Sequence, residues 1–271
     1  MPRLMPITLV LLSLVAAGCG AADPDVRMAD WEENFDRVNA ATAAGDHQQA
    51  IAVSQAFLTK YPDNADGHLM VAGALTEAAR AATDQQRPAR FTEAASHYRR
   101  VLELTRNPTW RVLAISGLIQ VYGKGQLNNP DEATRYARLQ VSDSPTEIAS
   151  YLTLVDLLKE SKKYDEVLAV LTDARTHITQ DGDSLARYAG IVHDLVAFNP
   201  DFPRDKAQPL LAETVALIDQ SLGKDGRTAN LVRARGMLLR VQGEVEPDPA
   251  RQAALGDESR KTFEELDRLE K

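Results

Sequence analysis

The 271-residue chain is predicted to be all-α, a solenoid of antiparallel helix pairs. Three observations carry that reading. The first is a stretch, Gly45 to Pro62 (GDHQQAIAVSQAFLTKYP), with a turn, a helix that is small and apolar on one face, and a proline stop. Ser54 and Phe57 lie at i+4 and i+7 from Ala50, so the three share one helical face. Altered copies begin at Phe91, Pro130, Lys163 and Arg204; their faces read Ala94/Tyr98/Val101, Ala133/Ala137, Val167/Leu171/Ala174 and Ala207/Leu211/Thr214. The second observation is the spacing: the reference residues fall 44, 39, 34 and 40 apart, and each interval holds a second helical segment. A period in this range marks helical arrays. One pair cannot bury its own apolar face, so neighbours must stack. The third is composition: the chain is rich in Ala and Leu, only 6% aromatic, and has no run of alternating β-branched residues, which leaves almost no strand.

The chain is read as residues 1–18, a signal peptide; 19–27, a polar tether; and 28–271, the helical array. Met1 to Gly20 reads MPRLMPITLVLLSLVAAGCG, with Arg3 in the n-region and an apolar run from Ile7 to Ala17. That run is shorter than the roughly 20 residues needed to span a bilayer, and small residues follow it, as in a secretory signal. Cys19 is the only cysteine, so no intramolecular disulfide can form.

Further along, Asp30 or a residue near it is expected to cap a first helix carrying Trp31, Phe35 and Val38. Ala44-Gly45-Asp46 is a turn, His47 to Lys60 the partner helix, and Pro62-Asp63-Asn64 a stop and the next cap. Gly73 interrupts an Ala-rich helix over 65–82, where its cost of about 1 kcal/mol predicts a close helix approach. Trp110 to Tyr122, with Val112, Leu113, Ile115, Leu118, Ile119 and Val121, is expected to be central core. Insertions are placed near Thr83–Pro88 and Lys124–Pro130, and Asn129-Pro130 is a cap followed by proline at N1. Helices follow over 147–160, 164–178 and 184–198. Pro209, in the fifth copy, predicts a helix beginning near Gln208. A helix over 229–242, a loop over 243–249 and a terminal helix over 251–271 complete the array. The last would face Leu255, Phe263, Leu266 and Leu269 inward.

The unit from Ile148, with Tyr151, Leu154, Val155, Leu158, Tyr164, Val167, Leu171 and Ala174, resembles the tetratricopeptide repeat family. Val155 and Val167 stand where that family prefers smaller residues. The unit ending YPDNAD at Tyr61 to Asp66 is similar to repeats in bacterial envelope-assembly lipoproteins. The resemblance implies a right-handed superhelix of five or six pairs whose first helices line a concave groove. Carried over, the groove would present Phe35 and Asn39, Arg111, and Leu152, Asp156, Lys159 and Glu160. Val15-Ala16-Ala17-Gly18-Cys19 resembles the bacterial lipoprotein box, with Ala16 in place of the usual Leu. That implies cleavage before Cys19 and acyl chains (a diacylglyceryl thioether and an amide-linked chain such as palmitate) on it. Two or more chains anchor stably where one does not. Gly20 in place of Asp implies the outer membrane, facing the periplasm, in a Gram-negative source.

The net charge of −8, which becomes −9 without Arg3, argues against nucleic acid and against electrostatic docking on anionic lipid. No HExxH, phosphate loop, GxSxG or His pair at helical metal spacing is present, so no catalytic residue, metal site or cofactor is assigned. The expected function is a non-enzymatic, membrane-anchored scaffold or adaptor. It would bind a peptide or helix of other envelope proteins in its groove and reach the membrane only through the lipid anchor. Two alternatives stay open: a self-assembling structural component, and a small-ligand carrier or enzyme with a pocket around His193 and Asp194.

Overall fold

The structure, a computed structural model, describes residues 28–83, 85–178, 181–224 and 228–270. The stretches read as a signal peptide and a polar tether, with Cys19, lie outside the described residues. Among those described, the chain is all-helical, with twelve helices and no strand. Its contacts divide it into two compact units, the first ending at Asp143 and the second starting at Ser144.

The first unit holds α1 (Met28–Ala43), α2 (His47–Lys60), α3 (Ala65–Ala81), α4 (Arg87–Leu104), α5 (Pro108–Tyr122) and α6 (Pro130–Asp143). Each helix packs on the next, and the odd-numbered helices also touch one another, α1 on α3 and α3 on α5. The boundaries follow the turn chemistry. Gly45, at φ +74°, takes the left-handed conformation after α1, and Asp46 accepts from the Gln49 N–H at the start of α2. Asn64, buried, accepts from the Gly67 N–H at 2.7 Å, and Asn129 from the Glu132 N–H. The core is small on α3 (Ala72, Ala74, Ala78, Ala79) and larger on α4 (Phe91, Tyr98, Val101). Trp31 stacks on Phe35 at 4.8 Å, and both cover Phe57 and Met70.

The second unit holds α7 (Ile148–Glu160), α8 (Tyr164–Ile178), α9 (Gly182–Ala197), α10 (Arg204–Lys224), α11 (Ala229–Val245) and α12 (Pro249–Leu269). Here too each helix packs on the next, and α7 touches α9 while α9 touches α11. The core is aliphatic: Leu154, Leu158, Leu171, Val192, Leu211, Ile218, Leu231, Leu238 and Leu239 are all buried.

Several expectations are corrected. Asp30 does not cap α1; it lies inside the helix, and its carboxylate accepts from Lys60 and Tyr61. Gly73 is no close approach, since a Cβ there would meet nothing within 4 Å. The close approaches are at Gly67, against Phe57 and Leu58, at Gly117, against the Tyr98 ring, at Gly182, against Leu231, and at Gly236, against Phe263. On α5, Val112, Leu113 and Ile119 are only half-buried; Ala114, Ile115, Leu118 and Val121 form the core. The helix at Pro209 starts at Arg204 and runs through the proline. Proline removes the N–H that would bond the Asp205 carbonyl, but both residues are exposed, so water can serve that carbonyl. Burial of Ala207, Leu210 and Leu211 holds the turn. The expected loop over 243–249 shrinks to three residues, because α11 continues to Val245 and Pro249 opens α12. Leu269 is 44% exposed; the buried face of α12 is Ser259, Thr262 and Leu266.

Candidate functional site: a cleft between α9 and α11

The first helices of two successive pairs, α9 and α11, lie side by side and leave a cleft of about 360 Å³ between them. On α9, Asp183, Ala186, Gly190 and Ala189 supply one wall, with Arg187 and His193 beside them. Asp183, Ala186, Gly190 and His193 fall at i, i+3, i+7 and i+10, one helical face. On α11, Asn230, Arg233 and Met237 repeat that spacing and Ala234 completes the floor. The inward side of both helices is anchored by Leu185, Val192, Leu231 and Leu238, all buried, which fixes the direction of the cleft face.

The chemistry is apolar below and charged at the rim. Asn230 donates to the Asp183 carboxylate at 3.1 Å, tying α11 to the start of α9. Arg233 pairs with Glu270. Arg187 is exposed and makes no direct ion pair among the described residues, but its charge reaches the Asp181 carboxyl, which the Ser184 N–H and hydroxyl hold low first and Arg187 after them. His193 bonds the neighbouring Asp194 carboxylate through Nδ1 at 2.8 Å and meets the edge of the Phe198 ring at 5.6 Å. Phe198, at the end of α9, is 76% exposed. The volume suits one or two side chains of an extended segment, within the range of small binding pockets. Among the described residues no group of three or more His, Cys, Asp or Glu converges on a metal site.

The residues expected to line a groove are divided between the two units. In the first, Phe35 is packed on Trp31, Asn39 is half-buried, and Arg111 bonds Asp143 at 2.7 Å with its side chain 13% exposed. In the second, Leu152 is 44% exposed, Asp156 and Lys159 pair with each other at 2.6 Å, and Glu160 is exposed. One 34-residue repeat further on, Leu152, Asp156 and Lys159 correspond to Ala186, Gly190 and His193, which do line the cleft. None of the residues named for the groove lines this cleft; His193, named with Asp194 for the small-ligand or enzyme alternative, does. Sequence reasoning missed Arg187, Asn230, Arg233 and Met237, although the spacing of the last three on α11 was a readable signal.

No family model matches the chain, and no curated protein matches it as a relative.

Proposed function

We propose that this chain is a protein-binding adaptor of the bacterial cell envelope, a tetratricopeptide-like solenoid secreted and lipid-anchored through Cys19. Its cleft between α9 and α11 takes an extended segment of a partner envelope protein. One observation carries the reading: the first helices of successive pairs, α7, α9 and α11, form a row, and the cleft in that row has a small-residue floor beside the exposed Arg187. A floor of Ala and Gly leaves room for a partner's side chain, and an exposed guanidinium favours a segment bearing a carboxylate. The lipid anchor rests on the spacing of the apolar run and Cys19.

The test has two arms. Intact protein from membranes should carry acyl mass on Cys19, and Cys19→Ala should release it to the soluble fraction. The purified full chain should bind acidic extended peptides from an array. Gly190→Leu, which fills the cleft, and Arg187→Glu should each weaken binding at least tenfold while changing stability by less than about 0.5 kcal/mol. Unchanged binding in both variants would rule the cleft out.

A further inference from the structure

Outside the cleft, the first unit holds two histidines 29 residues apart that meet between helices. His68 on α3 and His97 on α4 face each other with their Nδ1 atoms at 2.8 Å, in a partly buried contact. The Nε2 of His68 lies 3.1 Å from the Pro62 carbonyl. A carbonyl only accepts, so His68 carries its proton on Nε2 and its Nδ1 is the acceptor; His97 donates from Nδ1. The arrangement has room for one further proton, on the outer nitrogen of His97. The next can go only to the acceptor nitrogen of His68, which would set two charged donors against each other.

Among the described residues neither imidazole forms an ion pair with a carboxylate, although Asp66 lies two residues before His68 on α3 and Glu93 one helical turn before His97 on α4. Asp63, in the loop before α3, and Glu103 on α4 are both bonded by Arg100. On α3, Glu77 pairs with Arg80. On α2, Lys60 is held by Asp30 of α1, and on α5, Arg111 by Asp143 of α6.

We propose that the α3–α4 contact is an acid-sensitive latch: the His68–His97 hydrogen bond holds at neutral pH and parts when both imidazoles are protonated, loosening the α3–α4 hairpin of the first unit. Burial, and after it the neighbouring His68, pushes His97 down to about 4 from its ordinary 6.5. Burial also lowers His68, opposed by its bond to the Pro62 carbonyl. The opened form binds protons at the ordinary value. Opening is therefore favoured as pH falls below 6.5, and for His97 the gain saturates near pH 4. With screening by solvent, the opening equilibrium at pH 5 should rise on the order of tenfold from His97 alone.

The test uses the full chain. Amide exchange, corrected for intrinsic rates, should speed up about tenfold or more in 65–81 and 87–104 between pH 7.5 and 5, and less than threefold in α11 and α12. The double variant His68→Gln/His97→Gln should lose the response. Imidazole nitrogen shifts of the wild type should show both histidines titrating below 6.5, a readout that holds if the variant does not fold. Ordinary titration of both rings, equal acid response in the two units, or a response that survives in the double variant would each overturn the latch.

Discussion

The two most extensive helix pairings, α3 with α4 in the first unit and α11 with α12 in the second, are closed by different chemistry. α3 and α4 are rich in buried alanines (Ala72, Ala78, Ala79, Ala94, Ala95), with Val71, Leu75, Phe91 and Tyr98 the larger buried residues beside them; Ala74 packs instead with Val38, Ala41, Ala50 and Val53. Between α11 and α12 the larger aliphatics belong to α11, while α12 buries only Ser259, Thr262 and Leu266. Ser259 Oγ donates to the Gly236 carbonyl at 2.9 Å, and Arg235 bonds Asp219 of α10 and Glu258 and Thr262 of α12. A seam of small residues has high density and little slack. A seam of hydroxyls and one arginine is directional and half-wet, and it tolerates change in volume.

The largest test of that contrast removes volume. Phe91→Ala, at a site 1% exposed, should destabilise the first unit by about 3–5 kcal/mol. Leu266→Ala should stay at the low end of the Leu-to-Ala range, about 2–3 kcal/mol, because α12 can settle into the gap. Urea denaturation followed by circular dichroism measures both, and equal losses would erase the contrast.

The next test adds volume. A Cβ at Gly117 would come within 2.6 Å of the Cε atoms of the Tyr98 ring, which is buried and cannot move aside. Gly117→Ala should cost about 1–3 kcal/mol despite its better helix propensity. At Gly236 the Cβ would stand 3.0 Å from the ring of Phe263, half-buried on the last helix. That ring can yield, and Gly236→Ala should be close to neutral in the same denaturation experiment.

The smallest effect is expected at the arginine. Arg235→Met should lose only about 1 kcal/mol, since Asp219 and Glu258 are about half exposed and rehydrate. Stability measured with and without 1 M salt should differ for the wild type and converge for the variant. A loss of 3 kcal/mol or more would mean that the second seam is as brittle as the first.

Local punctuation was readable from the sequence. Gly45-Asp46, Asn64 and Asn129-Pro130 each act on their own backbone, and the helix boundaries fell where those residues put them. Pro209 misled for the same reason: its local cost is real, but the burial of Ala207, Leu210 and Leu211 that outweighs it is tertiary. Gly73 misled because a glycine marks permission for close approach, and no partner uses it. The cleft was readable at one residue. His193, named beside Asp194 as a possible pocket, lines the cleft, but Ala186, Gly190 and Arg187 were not singled out, since a cleft between α9 and α11 depends on how the two helices dock. Arg111 shows the opposite case, a charge that looked available and is held by Asp143. The His68–His97 contact had no sequence signal, because a pairing across two helices depends on how α3 and α4 dock.

Both tryptophans of the chain, Trp31 on α1 and Trp110 on α5, belong to the first unit. The buried indole N–H of Trp31 meets no acceptor among the described residues. The second unit carries tyrosines, Tyr151, Tyr164 and Tyr188, and no indole. Emission excited at the red edge of the indole band therefore watches one half of the protein, while far-ultraviolet dichroism watches both. The two melting curves will superimpose only if the units melt together, so the protein carries its own optical test of how many cooperative blocks it contains.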